Sequence, residues 1–300
     1  MKKLLFFVNP VAGHAEIRNH LVEILQIFTE AGYAVTVHPT AAPKDLTQQL
    51  AARGPEFDLI VCTGGDGTLN EAVSGLMLLP EEKRPPLGYI PAGTTNDVAT
   101  TLGLSRDHLT AARDIVSGTP FAIDVGDFGG RPFAYVAGFG LFTDVSYDTP
   151  QHDKRLLGRL AYLLGGIRAL SEVHPVHVRV TSDGMTQELD VLDGLVCSST
   201  SVAGFRMIRD LSPSVNDGKF EVVLVRDIRN LADFGAAAGC LLREELPEPY
   251  FVTFQTERVR FEFDEPVPWT LDGEFGGAQA QIEIRALARA VQIIVPGEHE

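Results

Sequence analysis

The run Thr63-Gly64-Gly65-Asp66-Gly67-Thr68-Leu69-Asn70-Glu71 constrains this chain more than any other, because it sets three glycines around one carboxylate directly after an apolar strand. Asp58 to Cys62 reads as a buried parallel strand, and the glycines let the backbone turn sharply and approach a ligand with no Cβ in the way. Thr68 and Glu71 stand at the spacing of a capping box. The sequence therefore predicts a helix capped by Thr68, whose free N–H groups and positive dipole end point back into the loop. Such an end attracts phosphate. Asp66 would repel phosphate, but it suits Mg2+ held directly or through water between the carboxylate and a polyphosphate. The alternative is an ordinary tight turn, which would spend three glycines where nothing needs to come close.

Two more loops have the same form. Lys3 to Val8 reads as a strand ending in Asn9-Pro10-Val11-Ala12-Gly13, and the helix after it carries Ile17, Leu21, Ile24, Leu25 and Phe28 at helical spacing before Gly32 ends it. Leu87 to Ile90 is followed by Pro91-Ala92-Gly93-Thr94-Thr95-Asn96-Asp97 and a helix that stops near Gly103, with Thr94 and Asp97 again at capping-box spacing. In an open parallel sheet with right-handed crossovers, the loops after the strands gather on one edge. Asn9, Gly13, Asp66, Thr94, Asn96 and Asp97 are thus expected to converge.

After about residue 120 the pattern changes to short alternating strands. Phe121, Ile123 and Val125 alternate with Ala122 and Asp124, and Gly129-Gly130 offers a hairpin turn. Val176, Val178 and Val180 alternate with His177 and Arg179, and Val259, Phe261 and Phe263 alternate with Arg258, Arg260 and Glu262. The fold class read from this is an α/β nucleotide-binding domain with a parallel sheet over 1–122, and a second, mainly β-sandwich domain over 123–290 with a helical insertion at about 153–172. Three hundred residues are enough for two cores.

No apolar run approaches the ~18 residues needed to span a bilayer, and the start does not resemble a signal peptide, so a soluble cytoplasmic protein is expected. The net charge of −15 argues against nucleic acid as a partner and against a general polybasic membrane anchor. Cys62, Cys197 and Cys240 are widely separated without metal-ligand spacing and read as reduced core thiols. His174 and His177, three apart on a predicted strand, should face opposite ways, which disfavours a shared metal.

The motifs N-P-V-A-G, G-G-D-G-T-L-N-E and P-A-G-T-T-N-D, with the late Leu271-Asp272-Gly273-Glu274, together resemble the diacylglycerol kinase catalytic family, to which sphingosine and ceramide kinases also belong. The likeness covers nearly the whole chain. Lys154 to Gly166 and Ser201 to Phe205 look most like the soluble bacterial diacylglycerol kinases, which act on membrane lipid from the cytosol. A lone G-G-D-G would also fit NAD kinases; four motifs in this order are far more specific.

The resemblance implies an ATP-dependent lipid kinase that makes phosphatidic acid from diacylglycerol, peripheral to the inner membrane face, with a homodimer as the assembly to test. It implies ATP contacts at Asn9, Pro10, Val11, Ala12, Gly13, Thr40, Gly65, Asp66, Gly67, Thr68, Leu69, Asn70, Glu71 and Thr94. Asp66, supported by Asp97, would organise the catalytic Mg2+, and Glu274 would accept the proton of the lipid hydroxyl, as transfer to an alcohol requires. Asp272 is then a supporting ligand or nucleotide contact. The segment 291–300, with its apolar run Val291 to Val295, would return to the first domain.

Composition alone makes Asp217 a turn aspartate. The resemblance adds a structural Mg2+ there, with the Asp217 carboxylate and the carbonyls of Ser214 and Lys219 as ligands. Lys154, Arg155, Arg159 and Arg168 form a local basic cluster on a predicted helix, read either as a solvated face or as a surface meeting anionic headgroups. Two departures stand out. Ala12-Gly13-His14 replaces a Ser-Gly-basic pattern, and Val98-Ala99-Thr100 replaces aromatic-Ala-Arg. An NAD kinase and a non-catalytic lipid-binding or regulatory protein are the alternatives.

Overall fold

The computed structural model describes residues 1–10, 17–140, 175–198, 201–202, 205–206, 215–228, 230–243 and 245–297. The expected helical insertion at 153–172, its cluster Lys154, Arg155, Arg159 and Arg168, and His174 lie outside the described residues, as do Val11, Ala12, Gly13, His14 and Ser214.

The chain divides into two compact units, one formed by Met1–Val125, Arg131–Ala134 and Leu287–Glu300, the other by Gly126–Gly130 and Tyr135–Ala286. The first unit begins with β1 (Lys2–Val8), α1 (Ile17–Glu30), β2 (Tyr33–Pro39), α2 (Asp45–Arg53), β3 (Leu59–Gly64) and α3 (Asp66–Met77). It continues through β4 (Leu87–Pro91), α4 (Asp97–Thr101) and α5 (His108–Ser117) into β5 (Thr119–Phe128) and β6 (Arg131–Phe133). The chain then forms β7 (Val136–Gly140), β8 (Val176–Ser182), β9 (Met185–Cys197), β10 (Ser201–Val202), β11 (Phe205–Arg206) and β12 (Phe220–Arg226). Helix α6 (Leu231–Leu242) and strands β13 (Phe251–Thr256), β14 (Arg258–Leu271) and β15 (Glu274–Val295) complete it.

In the first unit β1 pairs in parallel with β2 and β3, and β3 in parallel with β4. The C-terminal end of β15 joins them, with Ile293 beside Leu87 in parallel. Leu4 to Val8 are buried without a break, as are Leu59 to Gly64, because strands covered on both faces have no solvated side to alternate toward. Helix α1 buries Ile17, Ile24 and Phe28 and packs Leu21 and Leu25 on the same core. Phe28 meets Phe6 edge to face, with ring centroids 5.7 Å apart. Gly32, at φ +87°, turns the chain out of α1 through its N–H to the Thr29 carbonyl at 3.0 Å.

In the second unit the pairing is antiparallel. β9 lies between β7 and β12, β12 continues to β13, and β14 pairs with β7 and β8. Val259, Phe261 and Phe263 are buried in the expected alternation. Phe139, Phe261, Phe263 and Trp269 form one aromatic cluster, the closest rings, Phe139 and Trp269, being 4.7 Å apart. Cys197 and Cys240 of this unit and Cys62 of the first are buried cysteines outside any disulfide, and burial pushes the Cys62 thiol far up.

The alternation expected in β5 fails at Asp124, which is buried between Ile123 and Val125. Its Oδ1 accepts the backbone N–H of Arg289 at 2.7 Å, so the buried carboxylate is satisfied by a backbone donor at a residue held at φ +52°.

Candidate active site

Helix α3 starts two residues before the predicted cap. Gly65 is its N-cap, in extended conformation, and the N–H groups of Thr68 and Leu69 donate to the Gly65 carbonyl at 3.0 and 3.1 Å. Thr68 therefore lies inside the helix and does not cap it. Its side chain packs against Gly64, where a Cβ would collide with it, and its Oγ1 accepts from Asn9 Nδ2 at 3.2 Å. Glu71 turns away as well, and its Oε1 accepts the N–H of Lys44 at 2.9 Å. Asp66 occupies the first helical position, where the dipole favours a carboxylate.

The loop after β4 is laid directly on this one. Ala92 N–H donates to the Gly64 carbonyl at 2.8 Å, and the backbones of Gly65 and Gly93 touch. The Thr94–Asp97 capping box does not form either. Asn96 precedes α4 at φ +52° without capping it, because its side chain is used in the loop. Asn96 Oδ1 accepts the Gly93 N–H at 3.0 Å and Nδ2 donates to the Gly93 carbonyl at 2.8 Å, while the Asn96 N–H donates to Asp66 Oδ2 at 2.9 Å.

The ends of β1 and β2 reach the same edge. Asn9 N–H donates to the Thr63 carbonyl at 3.3 Å, Thr40 N–H donates to the Val8 carbonyl at 2.9 Å, and Arg18 Nη2 donates to the Pro10 carbonyl at 3.0 Å. Asn9, Thr40, Asp66, Thr68 and Asn96 are thus joined by hydrogen bonds through four successive strand ends. Thr94 is exposed, Gly65, Gly67, Asn70 and Glu71 are half-buried, and Asp97 is buried. Leu69 is fully buried, so it can offer a ligand only its backbone.

Tyr89 lies beneath both loops at 1% exposure, and its hydroxyl reaches the Gly64 carbonyl at 3.0 Å and Asn96 Oδ1 at 3.2 Å. Burial first, and then the Asp66 carboxylate, push this phenol well above the usual tyrosine range; Asp97 adds to the effect and Arg106 opposes it. Arg106 itself donates to the Thr95 carbonyl at 2.7 Å. Neither Tyr89 nor Arg106 was expected from the motifs. A tyrosine in the otherwise aliphatic strand Leu87–Pro91 is the one visible signal, since a buried phenol needs a partner for its hydroxyl.

Among the described residues no three His, Cys, Asp or Glu side chains gather to hold a metal. The loop edge offers oxygen donors, the Asp66 carboxylate foremost, with Asp97 buried at the start of α4, and hard cations such as Mg2+ prefer oxygen. Mg2+ characteristically binds through one or two carboxylates, with phosphates and water completing its shell. The residues fit that mode.

The Leu271 to Glu274 segment is a two-residue hairpin between β14 and β15, with Leu271 paired to Glu274 and with Asp272 and Gly273 at φ +50° and +85°. Both central residues at positive φ define the turn in which Asp-Gly is favoured. Asp272 is buried, and its Oδ1 accepts the N–H groups of Tyr135 and Val136 at 2.9 and 3.0 Å. Its N–H donates to the Val136 carbonyl at 2.8 Å. Asp272 therefore anchors the hairpin to β7, while Glu274 beside it is exposed. At the turn before β12, Asp217 and Lys219 are exposed, and Asp217 Oδ1 accepts the Lys219 N–H at 3.0 Å across Gly218.

Residues 3–128 match the family described as the diacylglycerol kinase catalytic domain, and residues 140–295 match the YegS C-terminal NAD kinase beta sandwich-like domain. The diacylglycerol kinase of Bacillus subtilis is 38% identical, with 99% of this chain and 98% of that protein aligned. That of Staphylococcus carnosus is 31% identical over 98% of this chain and 95% of its own length. A crystal structure of a candidate diacylglycerol kinase from Bacillus anthracis superposes with a TM-score of 0.84 at 26% identity, covering 98% of this chain and 95% of that one.

Proposed function

The chain belongs to the diacylglycerol kinase catalytic family and is a lipid kinase, and on that premise we propose that it transfers the terminal phosphoryl group of ATP to the free hydroxyl of diacylglycerol, giving phosphatidic acid. The observation that carries this reading is the fixing of Asp66 by the Asn96 N–H on an edge where the ends of four strands meet. Asn9, Pro10, Thr40, Gly65 to Glu71 and Thr94 line the nucleotide, joined by Val11, Ala12 and Gly13 from the first loop. The α3 N-terminus favours phosphate oxygens. Asp66, supported by Asp97, would hold Mg2+, which would supply charge neutralisation for the phosphoryl group in transfer. Glu274 accepts the hydroxyl proton as the new O–P bond forms and the bond from the γ-phosphorus to the departing ADP breaks. Little covalent help is required, because phosphoryl transfer is accelerated mostly by positioning and charge neutralisation.

Among the described residues no helix is long and apolar enough to cross a membrane, and the substrate is reached from the membrane surface in this reading. Lys154, Arg155, Arg159 and Arg168 are the cations proposed to meet anionic headgroups there. The second reading, an NAD kinase, is favoured only by the description of the sandwich-like domain matched by residues 140–295. Labelled ATP offered with diacylglycerol vesicles or with NAD separates the two. Label in the lipid is expected; label in NAD alone would replace the reading, and label in neither would point to a binding protein.

A further inference from the structure

Tyr89 is a buried phenol for which the chemistry above has no task. It stands on β4, the strand that leads into the loop of Gly93 and Asn96, and its hydroxyl proton faces two acceptors, the Gly64 carbonyl at the end of β3 and Asn96 Oδ1. Such three-centre bonds are an ordinary part of the hydrogen-bond census. Here the shared proton ties the ends of two adjacent strands to the one side chain that also grips Gly93 from both sides.

The tie has a direction. Asn96 is buried at φ +52°, a conformation that asparagine tolerates better than most residues and that places its N–H against Asp66 Oδ2. A hydrogen bond from a backbone N–H to a carboxylate is charge-assisted and orienting. With its amide clamped by Gly93 and Tyr89, Asn96 cannot rotate without breaking buried bonds, so the carboxylate it holds is aimed by the strands beneath. Side chains that orient a metal ligand from behind in this way are often as influential as the ligand itself.

We propose that Tyr89 is a positioning residue that, through Asn96, sets the Asp66 carboxylate in the orientation that binds the magnesium complex of the nucleotide; this rests on the role given to Asp66 under Proposed function. Burial and the neighbouring Asp66 charge keep the phenol protonated, so the donor persists at any pH at which the enzyme would work.

The test is the affinity of the purified chain for a non-hydrolysable ATP analogue, measured by calorimetry with Mg2+ and again with EDTA. Tyr89→Phe removes one oxygen from a ring that stays buried, and Asn96→Gly keeps the positive φ and the N–H while releasing the clamp. Both variants should bind the analogue about tenfold more weakly with Mg2+, the low end of the usual loss when a ligand's supporting partner is removed. In EDTA each should match the parent, and the KM for lipid should not move. A Tyr89→Phe protein that melts earlier yet keeps the parent's Mg2+-dependent affinity would make the bond merely structural and overturn the proposal. If the parent binds the analogue with Mg2+ and both variants lose affinity, but diacylglycerol is not phosphorylated, the positioning role stands and the lipid reading fails. A parent that shows no Mg2+-dependent binding overturns both.

Discussion

Gly93 and Gly65 stand backbone against backbone: a Cβ on Gly93 would lie 2.5 Å from the Gly65 Cα and 2.7 Å from Asn96 Oδ1. Neither neighbour is the free end of a flexible side chain, so Gly93→Ala must push the two loops apart. The strain should cost about 1–3 kcal/mol, as overpacking usually does. It should also weaken Mg2+-ATP use, because the same displacement moves Asn96 away from Asp66. Gly65→Ala meets the Gly93 Cα only at 3.3 Å and should cost less stability. Urea unfolding of both variants checks the order, and equal stability losses would contradict the packing argument.

Glu274→Gln separates chemistry from binding. The residue is exposed, so stability should stay within about 0.5 kcal/mol of the parent. Turnover at saturating lipid should fall by roughly 10² to 10⁴, the usual contribution of a general base. Affinity for a non-hydrolysable ATP analogue should be nearly unchanged. Full turnover in this variant would remove Glu274 from the mechanism.

The neighbouring Asp272 should behave in the opposite way. Its Oδ1 satisfies two buried amides, of Tyr135 and Val136, and each orphaned donor costs about 1–3 kcal/mol. Asp272→Ala should therefore lower the melting temperature sharply. Asp272→Asn retains an acceptor oxygen and tolerates positive φ, so it should melt close to the parent. If Asn proved as damaging as Ala, the charge itself would be needed, and the residue would return to the role of ligand.

These contrasts show which parts of the molecule were legible in the residues alone. The runs Leu4 to Val8 and Leu59 to Gly64 are unbroken because both faces are covered, and composition records that directly. The glycine loops were legible for the same kind of reason, since few other demands require so many positions without a Cβ. Spacing misled at Thr68, because Gly65 can start the helix without a side-chain cap, which frees the threonine hydroxyl to accept from Asn9. It misled again at Thr94, where Asn96 is occupied by Gly93 and Tyr89. Asp124 departs from the alternation because its partner, the Arg289 amide, lies far away in sequence. The resemblance gives Asp272 and Glu274 different roles, and it is the contact with β7 that makes Asp272 an anchor while Glu274 is exposed.

A pH effect is expected on the second unit. His177 and Asp190 are directly opposite on β8 and β9, with Nδ1 2.8 Å from Oδ1, and the bond to Asp190 raises the histidine pKa above its ordinary 6.5. A folded-state value above the unfolded one means that the pair stabilises fully below 6.5 and loses its contribution as pH rises through the folded value. His177→Gln should therefore unfold at lower denaturant than the parent at about pH 5.5 and at the same denaturant at about pH 9. A difference that grows with pH would reverse the assignment.

Asp217 tests whether the second unit carries an ion of its own. The turn before β12 presents one exposed carboxylate, one of whose oxygens accepts the Lys219 N–H, with Gly218 at φ +78° closing the curve. A carboxylate with backbone carbonyls of Ser214 and Lys219 would make an all-oxygen set, the chemistry Mg2+ requires. Asp217→Ala is then expected to lose one divalent ion per chain by elemental analysis after gel filtration in Mg2+, and to melt earlier than the parent only when Mg2+ is present. ATP-analogue affinity should change little, because this turn and the glycine loops belong to different units. If the carboxylate serves only its own turn, metal content will be equal in the two proteins and the small loss of stability will be the same with Mg2+ or with EDTA.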